Sequence, residues 1–88
     1  MKDKELERSL KALANRRRIA ILRFIKKEKE STVGDIAEEI KLSFKATSKH
    51  LGVLASANIL EREQRSLQMF YRISDDIPET AHRIISIL

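Results

Sequence analysis

The sequence predicts a mainly α-helical fold with a small β-hairpin, in the order α-α-α-α-β-β-α. Apolar residues recur at helical spacing along most of the 88 residues. A short helix is followed, after a tight break, by a longer helix with polar and basic residues near its start. The apolar period then changes to two, as in a strand, directly after the longer helix. This combination is typical of a winged helix-turn-helix domain.

The first two helices are indicated by apolar spacing and by one capping residue. Leu6, Leu10 and Leu13 are spaced i, i+4, i+7 and predict an amphipathic helix over residues 3–14. Asn15 is a suitable N-cap for the second helix. Apolar residues cover most of the circumference of that helix, which indicates a central buried position: Ile19, Ile21, Leu22, Phe24 and Ile25.

The next two helices form the predicted helix-turn-helix. Thr32 is the expected N-cap of a short third helix, residues 41–42 are the break, and Ser43 is the expected N-cap of the fourth helix. The fourth helix should end near Asn58, a residue that tolerates the left-handed conformation. Its predicted core stripe consists of Thr47, Leu51 and Leu54.

The hairpin and the last helix complete the predicted fold. Residues 59–64 are the expected first strand, and residues 65–66 the tip. Alternation predicts the second strand: Leu67, Met69, Tyr71 and Ile73. Asp76 and Glu79 predict a capping box around Pro78. An apolar stripe then predicts a final amphipathic helix: Ile77, Ala81, Ile84, Ile85 and Leu88.

Composition excludes several classes of function. The chain has no cysteine, which excludes disulfides, thiolate metal sites and thiol catalysis together. No apolar run approaches the roughly 20 residues of a membrane span, and the charged start of the chain lacks the apolar stretch of a signal peptide. We therefore expect a cytoplasmic protein. No nucleophile is accompanied by a base and an orienting group, so neither an enzyme nor a bound cofactor is expected.

The distribution of charge favours a polyanionic partner. The net charge is +5, and residues 16–29 carry seven basic residues against one acidic residue. Arg16 and Arg17 lie at a predicted helix N-terminus, where the helix dipole disfavours cations, and this placement favours a phosphate-binding role. The alternative for the charge as a whole is an ordinary solvated surface.

The fourth helix carries the side chains that suit the major groove of DNA. The core stripe places Phe44, Lys45, Ser48 and Lys49 on the opposite, outer face, together with Gly52. Lysine can reach phosphates or guanine acceptors, serine can bond a base edge or a phosphate, and a helix N-terminus favours an anion. The predicted DNA-binding residues are Ser43, Phe44, Lys45, Ser48, Lys49 and His50, with Arg62 and Arg65 of the hairpin and Arg16 and Arg17.

Three segments resemble the ArsR-type winged helix-turn-helix regulators: LKALANRRRIAIL (10–22), DIAEEIKLSFKATSKHLGVL (35–54) and NILEREQRSLQMFYRI (58–73). The resemblance implies a dimeric, sequence-specific repressor that binds double-stranded DNA. It also implies a position near DNA for His50, and the alternative is a histidine wedged between helices. Lys41, Asn58 and Ser66 stand where the family often has glycine.

Metal-sensing members carry cysteines on the third helix or Asp, His and Glu ligands on the last one. This third helix has no cysteine, so no metal is expected, and His82 beside Glu79 is only a weak signal for a metal site.

Residues 1–88 are expected to form one domain, in which residues 1–14 and 76–88 are the dimerisation helices. The apolar surface of these helices exceeds what so small a domain can cover by itself. The predicted dimer-interface residues are Leu6, Leu10, Leu13, Ile84, Ile85 and Leu88. The alternative function is a winged-helix module that docks another protein through the same surface.

Overall fold

Five α-helices and one three-stranded antiparallel sheet make up residues 2–88, the part of the chain that the computed structural model describes. The order agrees with the predicted architecture and adds one strand. The elements are α1 (Asp3–Leu13), α2 (Arg16–Glu28), β1 (Glu30–Thr32), α3 (Val33–Ile40), α4 (Phe44–Ser56), β2 (Leu60–Arg65), β3 (Gln68–Ile73) and α5 (Glu79–Ser86).

Three predicted N-caps are confirmed by their hydrogen bonds. The Asn15 side-chain oxygen accepts from the backbone N–H groups of Arg17 and Arg18, at 2.9 and 3.1 Å. Thr32 Oγ1 accepts from the third residue of α3 at 3.2 Å, and Ser43 Oγ accepts from the third residue of α4 at 3.1 Å. Each cap satisfies backbone donors that have no partner within the helix, so these polar residues fix where the helices begin.

The turn between α3 and α4 uses a left-handed residue where the family often has glycine. Lys41 has φ 56° and ψ 50°. The Leu42 N–H donates to the Ala37 carbonyl at 3.0 Å, which closes the end of α3. Asn58, with φ 60°, reverses the chain after α4 as predicted. The left-handed backbone conformation is less favourable for lysine or asparagine than for glycine, yet both residues adopt it here.

The strand β1 was not predicted. It spans only Glu30–Thr32 and pairs antiparallel with β3, so the sheet order is β1-β3-β2. Three polar residues show no alternation that could mark a strand, and the pairing with β3 defines it instead. The register places Glu30 opposite Arg72 and Ser31 opposite Tyr71.

Two predicted details, the hairpin tip and the cap of the last helix, were wrong. Arg65 pairs with Gln68 at the end of the ladder, so the tip is Ser66–Leu67 rather than residues 65–66. Leu67 therefore lies outside the strand and is 95% exposed. The capping box at α5 does not form, because the helix begins at Glu79 after Pro78 and has no side-chain cap.

The core surrounds α2, as its apolar circumference predicts. Ile21, Leu22 and Ile25 are fully buried, together with the α4 stripe of Thr47, Leu51 and Leu54. At the far end of α2, the Lys26 ammonium donates to the carbonyls of Ile85 and Ser86, at 3.0 and 3.3 Å. None of the helices between residues 2 and 88 has the length and apolar character needed to cross a membrane.

Candidate nucleic-acid interface

One face of α4 is polar, basic and largely exposed, and the opposite face is buried. Phe44, Lys45 and Lys49 are exposed and Ser48 is half-buried, whereas the core stripe beneath them is fully buried. Neither lysine has an ion-pair partner among residues 2–88. Ser43, exposed at the N-cap, lies at the positive end of the helix dipole. This face therefore offers free cations and hydroxyl groups at a helix N-terminus.

Arg18 joins three helices beside this face. Its Nε donates to the carbonyl of Ala12 at 2.6 Å, and its Nη2 donates to the carbonyl of Lys11 at 3.1 Å. Its Nη1 donates to His50 Nδ1 at 3.2 Å. The guanidinium thus satisfies carbonyls at the end of α1, which have no partner within the helix, and holds a ring of α4 from the start of α2. This bridging role of Arg18 was not predicted from the sequence.

His50 lies between the helices, in surroundings that favour the neutral form of its ring. Burial is the main cause that lowers its pKa, followed by the charge of Arg18 and then those of Arg17 and Lys49. Arginine can only donate, so Nδ1 accepts and the ring proton lies on Nε2. The structure thus gives His50 the wedged position that was the alternative, and the Nε2–H remains as a donor.

Arg16 and Arg17 lie exposed at the start of α2, with Arg17 near enough to His50 to influence its titration. Both line a cavity of about 560 Å³ between α2 and the end of α3, which also includes Arg23, Lys27 and Glu39. The influence of Arg17 on His50 places its charge near α4. Arg16 belongs to the flank of the domain beside it.

The two arginines of the predicted hairpin lie on opposite faces of the sheet. Strand residues alternate between faces, so Arg62 shares a face with its partner Tyr71, and Arg65 shares the other with Gln68. Arg62 lines a cavity of about 400 Å³ together with Gly52 and Ser56 of α4. Only Arg62 is thus placed beside the face of α4, although the sequence had grouped the two arginines together.

The other surface, here called the outer sheet face, pairs its arginines with carboxylates. It comprises Glu30, Glu61, Glu63, Arg65, Phe70 and Arg72. The Arg65 guanidinium contacts Glu30 at 2.7 Å and Glu63 at 2.9 Å, and lies 4.5 Å from the centre of the Phe70 ring. Arg72 contacts Glu61 and Glu63, both at 2.9 Å.

The titration of these groups reflects the same network. Hydrogen bonds from Arg65 and then from Arg72 lower the pKa of Glu63. The hydrogen bond to Glu30, followed by that to Glu63, raises the pKa of Arg65. The pKa of Arg72 is raised chiefly by its hydrogen bond to Glu63. Arg65 is therefore engaged within the sheet and is not brought to the face of α4.

The predicted dimer residues fall into two groups. Leu13 and Ile85 are each only 6% exposed and pack in the core of their own domain, so they are not free to meet a partner. Leu6 and Leu10 are 37% and 49% exposed, and Ile84 and Leu88 are half-buried. Ile87, which the apolar spacing did not single out, is 79% exposed just after α5.

No group of three or more histidine, aspartate or glutamate side chains that could hold a metal ion occurs within residues 2–88. His82 is exposed on α5.

The chain is similar to known regulators. The family model described as "Bacterial regulatory protein, arsR family" matches residues 15–62, more than half of the chain. The nodulation protein NolR of Rhizobium meliloti is 36% identical over 67 residues, which cover 76% of this chain and 54% of NolR. The arsenical resistance operon repressor of Bacillus subtilis is 26% identical over 73 residues, covering 83% of this chain and 70% of the repressor. The chain thus spans about half the length of NolR.

A solved structure shows the same fold. It is the homodimeric winged helix-turn-helix DNA-binding domain of Mb0332 from Mycobacterium bovis, described as a possible ArsR-family transcriptional regulator. The TM-score is 0.81 at 28% identity, over 96% of this chain and 74% of that one. The winged helix-turn-helix fold is confirmed, and the matched family consists of regulators rather than enzymes, as the sequence predicts. The chain belongs to the ArsR family of bacterial regulatory proteins.

Proposed function

We propose that this protein binds double-stranded DNA in a sequence-specific manner, as a homodimeric transcriptional repressor in the cytoplasm. The observation that carries the proposal is the outer face of α4, where Lys45 and Lys49 are exposed, without ion-pair partners in residues 2–88, above a fully buried stripe. A helix that enters the major groove must be polar and basic on the side that faces the bases. The name of the Bacillus subtilis relative supports the role of repressor.

In this proposal α4 is the recognition helix. Lys45 and Lys49 contact phosphates or guanine acceptors, and the half-buried Ser48 bonds a base edge. Arg62 approaches the backbone from the wing, because it lies on the sheet face that borders α4. Arg17 and the Nε2–H of His50 supply further donors beside the helix. Arg65 is not part of this set.

The dimer is proposed to form through the apolar flanks of α1 and α5. Leu6, Leu10 and Ile84 leave apolar surface on two helices that pack against each other, and Leu88 adds to it just after α5. The related domain from Mycobacterium bovis is described as homodimeric, which supports the same assembly here. A two-fold dimer would place two recognition helices about 34 Å apart, one turn of DNA.

We also propose that thiophilic metals are not the signal, since the chain has no cysteine and such ions favour soft ligands. Tight zinc binding that is lost in His82→Ala would contradict this.

The test of sequence reading is selection of bound sites from a random duplex pool, followed by titration of wild type and Ser48→Ala on selected and random DNA. Removal of one base-edge hydrogen bond should reduce discrimination by about 1–3 kcal/mol and leave the salt dependence nearly unchanged. Equal weakening on both DNAs would mean that Ser48 contacts only phosphate. No binding to any duplex by folded protein would favour the protein-docking alternative.

The test of assembly is sedimentation at micromolar concentration, with and without the selected DNA. Leu10→Glu should shift the protein towards the monomer, because it places a charge in the proposed interface. Leu67→Glu is the matched control, since that leucine is 95% exposed at the wing tip, away from α1 and α5. A monomeric wild type under both conditions would refute the dimer.

A further inference from the structure

A groove lies between α1 and the recognition helix α4. Its volume is about 630 Å³, within the range of small-molecule sites. Its floor is apolar and is formed by Ala12, Val53 and Ala57. Val53 is 38% exposed there, although it stands on a helix whose leucines are fully buried. This α1–α4 groove therefore leaves apolar surface open to solvent beside the helix proposed to read DNA.

The rim of the α1–α4 groove is uniformly basic. It carries Arg8 and Lys11 from α1, Arg18 from α2 and Lys49 from α4, and no acidic side chain from residues 2–88 lines it. Arg8 and Lys49 have no ion-pair partner in the described chain, and Lys11 makes only an exposed contact to Glu7 at 3.9 Å. By contrast, the cavity between α2 and α3 includes Glu39 among its cations. The α1–α4 groove thus holds two cations, Arg8 and Lys49, that have no ion-pair partner in the described part of the chain.

Gly52 keeps the groove open. It lies in the interior of α4, where glycine costs about 1 kcal/mol relative to alanine. A Cβ at this position would meet no heavy atom within 4 Å, so packing within the domain does not require glycine. A helix glycine without an internal packing reason is consistent with close approach of another molecule to the backbone.

The groove lies on the side of α1 away from the proposed dimer interface. At 100° per residue, the buried stripe of Ser9, Ala12 and Leu13 separates the two flanks of the helix. Leu6 and Leu10 lie on one flank, and Arg8 lies on the other. Dimerisation through the leucines therefore leaves the groove accessible.

We propose that the α1–α4 groove binds a small organic carboxylate with an apolar body, whose charged end meets Arg8 and Lys49 and whose body covers Val53 and Gly52. The apolar floor and the uncompensated cations match the two parts of such a molecule. A DNA phosphate would satisfy the rim but would leave the floor exposed to water. The α4 residues that line the groove extend only from Lys49 to Ala57, about 12 Å, which is the length of three or four extended peptide residues and suits a small molecule better than a peptide.

The inference has a regulatory half, namely that the ligand weakens DNA binding, and this half rests on the proposed function. Lys49 belongs both to the groove and to the face proposed to bind DNA. One ammonium group cannot serve a carboxylate and a phosphate equally well, so the ligand should weaken DNA binding, and DNA should weaken ligand binding by the same factor. Arg18, which lines the groove and holds His50, supplies a second connection to α4.

The experiment uses the DNA-free protein and 3-phenylpropionate as the probe, followed by amide chemical shifts in NMR titrations. We expect millimolar binding, with shifts centred on Ala12, Gly52 and Val53. The neutral analogue 3-phenylpropionamide and the variant Arg8→Gln should each weaken binding several-fold. Gly52→Leu should abolish it, because a Cβ at this position meets no heavy atom within 4 Å and the rest of the side chain would occupy the groove. The matched control is Lys4→Gln, which removes the same charge from α1 outside the groove and should leave binding unchanged.

Absence of shifts at these amides, equal binding of the neutral analogue, or shifts centred on another cavity would each overturn the proposal. The regulatory half is tested by titrating the selected duplex with and without the probe. Weaker DNA binding in wild type but not in Arg8→Gln supports it. Ligand binding without any effect on DNA affinity refutes the regulatory half. If Arg8→Gln itself weakens DNA binding, the groove contacts DNA and the assignment to a small carboxylate is wrong. The NMR titration uses no DNA, so its result does not depend on whether the proposed DNA-binding function is correct.

Discussion

The recognition helix and the outer sheet face both carry basic side chains, but they use them differently. On α4, Lys45 and Lys49 project into solvent without partners among residues 2–88. On the outer sheet face, Arg65 and Arg72 each contact two glutamates at 2.7–2.9 Å. The helix retains its charge for another molecule, whereas the sheet has largely neutralised its own.

The geometry of the two elements explains this difference. Neighbouring strands bring directly opposite residues within about 5 Å of each other, so Glu30 and Glu61 both flank Arg72 across the ladder. The lysines of α4 lie on the side of the helix away from its buried stripe, where no neighbouring strand supplies carboxylates. The net charge of +5 therefore does not indicate how many cations are available to DNA. Position within the fold determines that number.

The largest effect is expected from removing the free charges of α4. Lys45→Gln combined with Lys49→Gln removes up to four phosphate interactions from a dimer. Each phosphate interaction removed should flatten the log–log salt dependence of DNA affinity by about 0.9, which gives up to about 3.6 in total. Fluorescence anisotropy over a several-fold range of salt concentration measures the slope. The matched control is Lys2→Gln with Lys4→Gln on the far end of α1, which should change the slope much less.

The two arginines of the wing should change the salt dependence less than the α4 lysines do, but they should differ clearly from each other. Arg62→Gln should flatten the slope by up to about 1.8 in a dimer, because this arginine lies beside α4 and has no ion-pair partner in residues 2–88. Arg65→Gln should leave the slope almost unchanged, since its guanidinium already contacts Glu30 and Glu63. The same titrations compare the two variants directly. Equal flattening would show that DNA displaces the glutamates, and the contrast between the two faces would then disappear.

The smallest effect concerns His50. Its folded-state pKa lies below the ordinary value of 6.5, mainly because of burial. The unfolded chain therefore binds the proton first as the pH falls, and the stability contributed by the neutral ring is complete above pH 6.5 and declines below it. Urea unfolding on either side of pH 6.5 should show a larger loss of stability in wild type than in His50→Gln. A parallel decline in both proteins would contradict this assignment.

The sequence predicted the helices well because local chemistry determines them. Asn15, Thr32 and Ser43 cap helices in the structure as their side chains require. The opposite faces of Arg62 and Arg65 were not predicted, because Arg65 was expected at the hairpin tip and the structure places it in β2.

The pairing of Arg65 could not be predicted in the same way. Glu30 lies 35 positions away and reaches Arg65 only because the unpredicted β1 joins the sheet. Likewise, whether Leu13 and Ile85 face a partner or their own core depends on how α1 and α5 pack, which apolar spacing alone does not determine.

The contacts of Arg18 and Lys26 have a mechanical consequence for operator choice. Arg18 fixes the end of α1 to α4 at one end of α2, and Lys26 fixes the end of α5 at the other. Both proposed dimerisation helices are thus hydrogen-bonded to the helix that also positions α4, so each subunit would move as a rigid body. A dimer of rigid subunits would bind two half-sites only at a fixed separation. One inserted base pair rotates a half-site by about 35° about the DNA axis, and such a dimer would tolerate this far less than it would tolerate a single changed base.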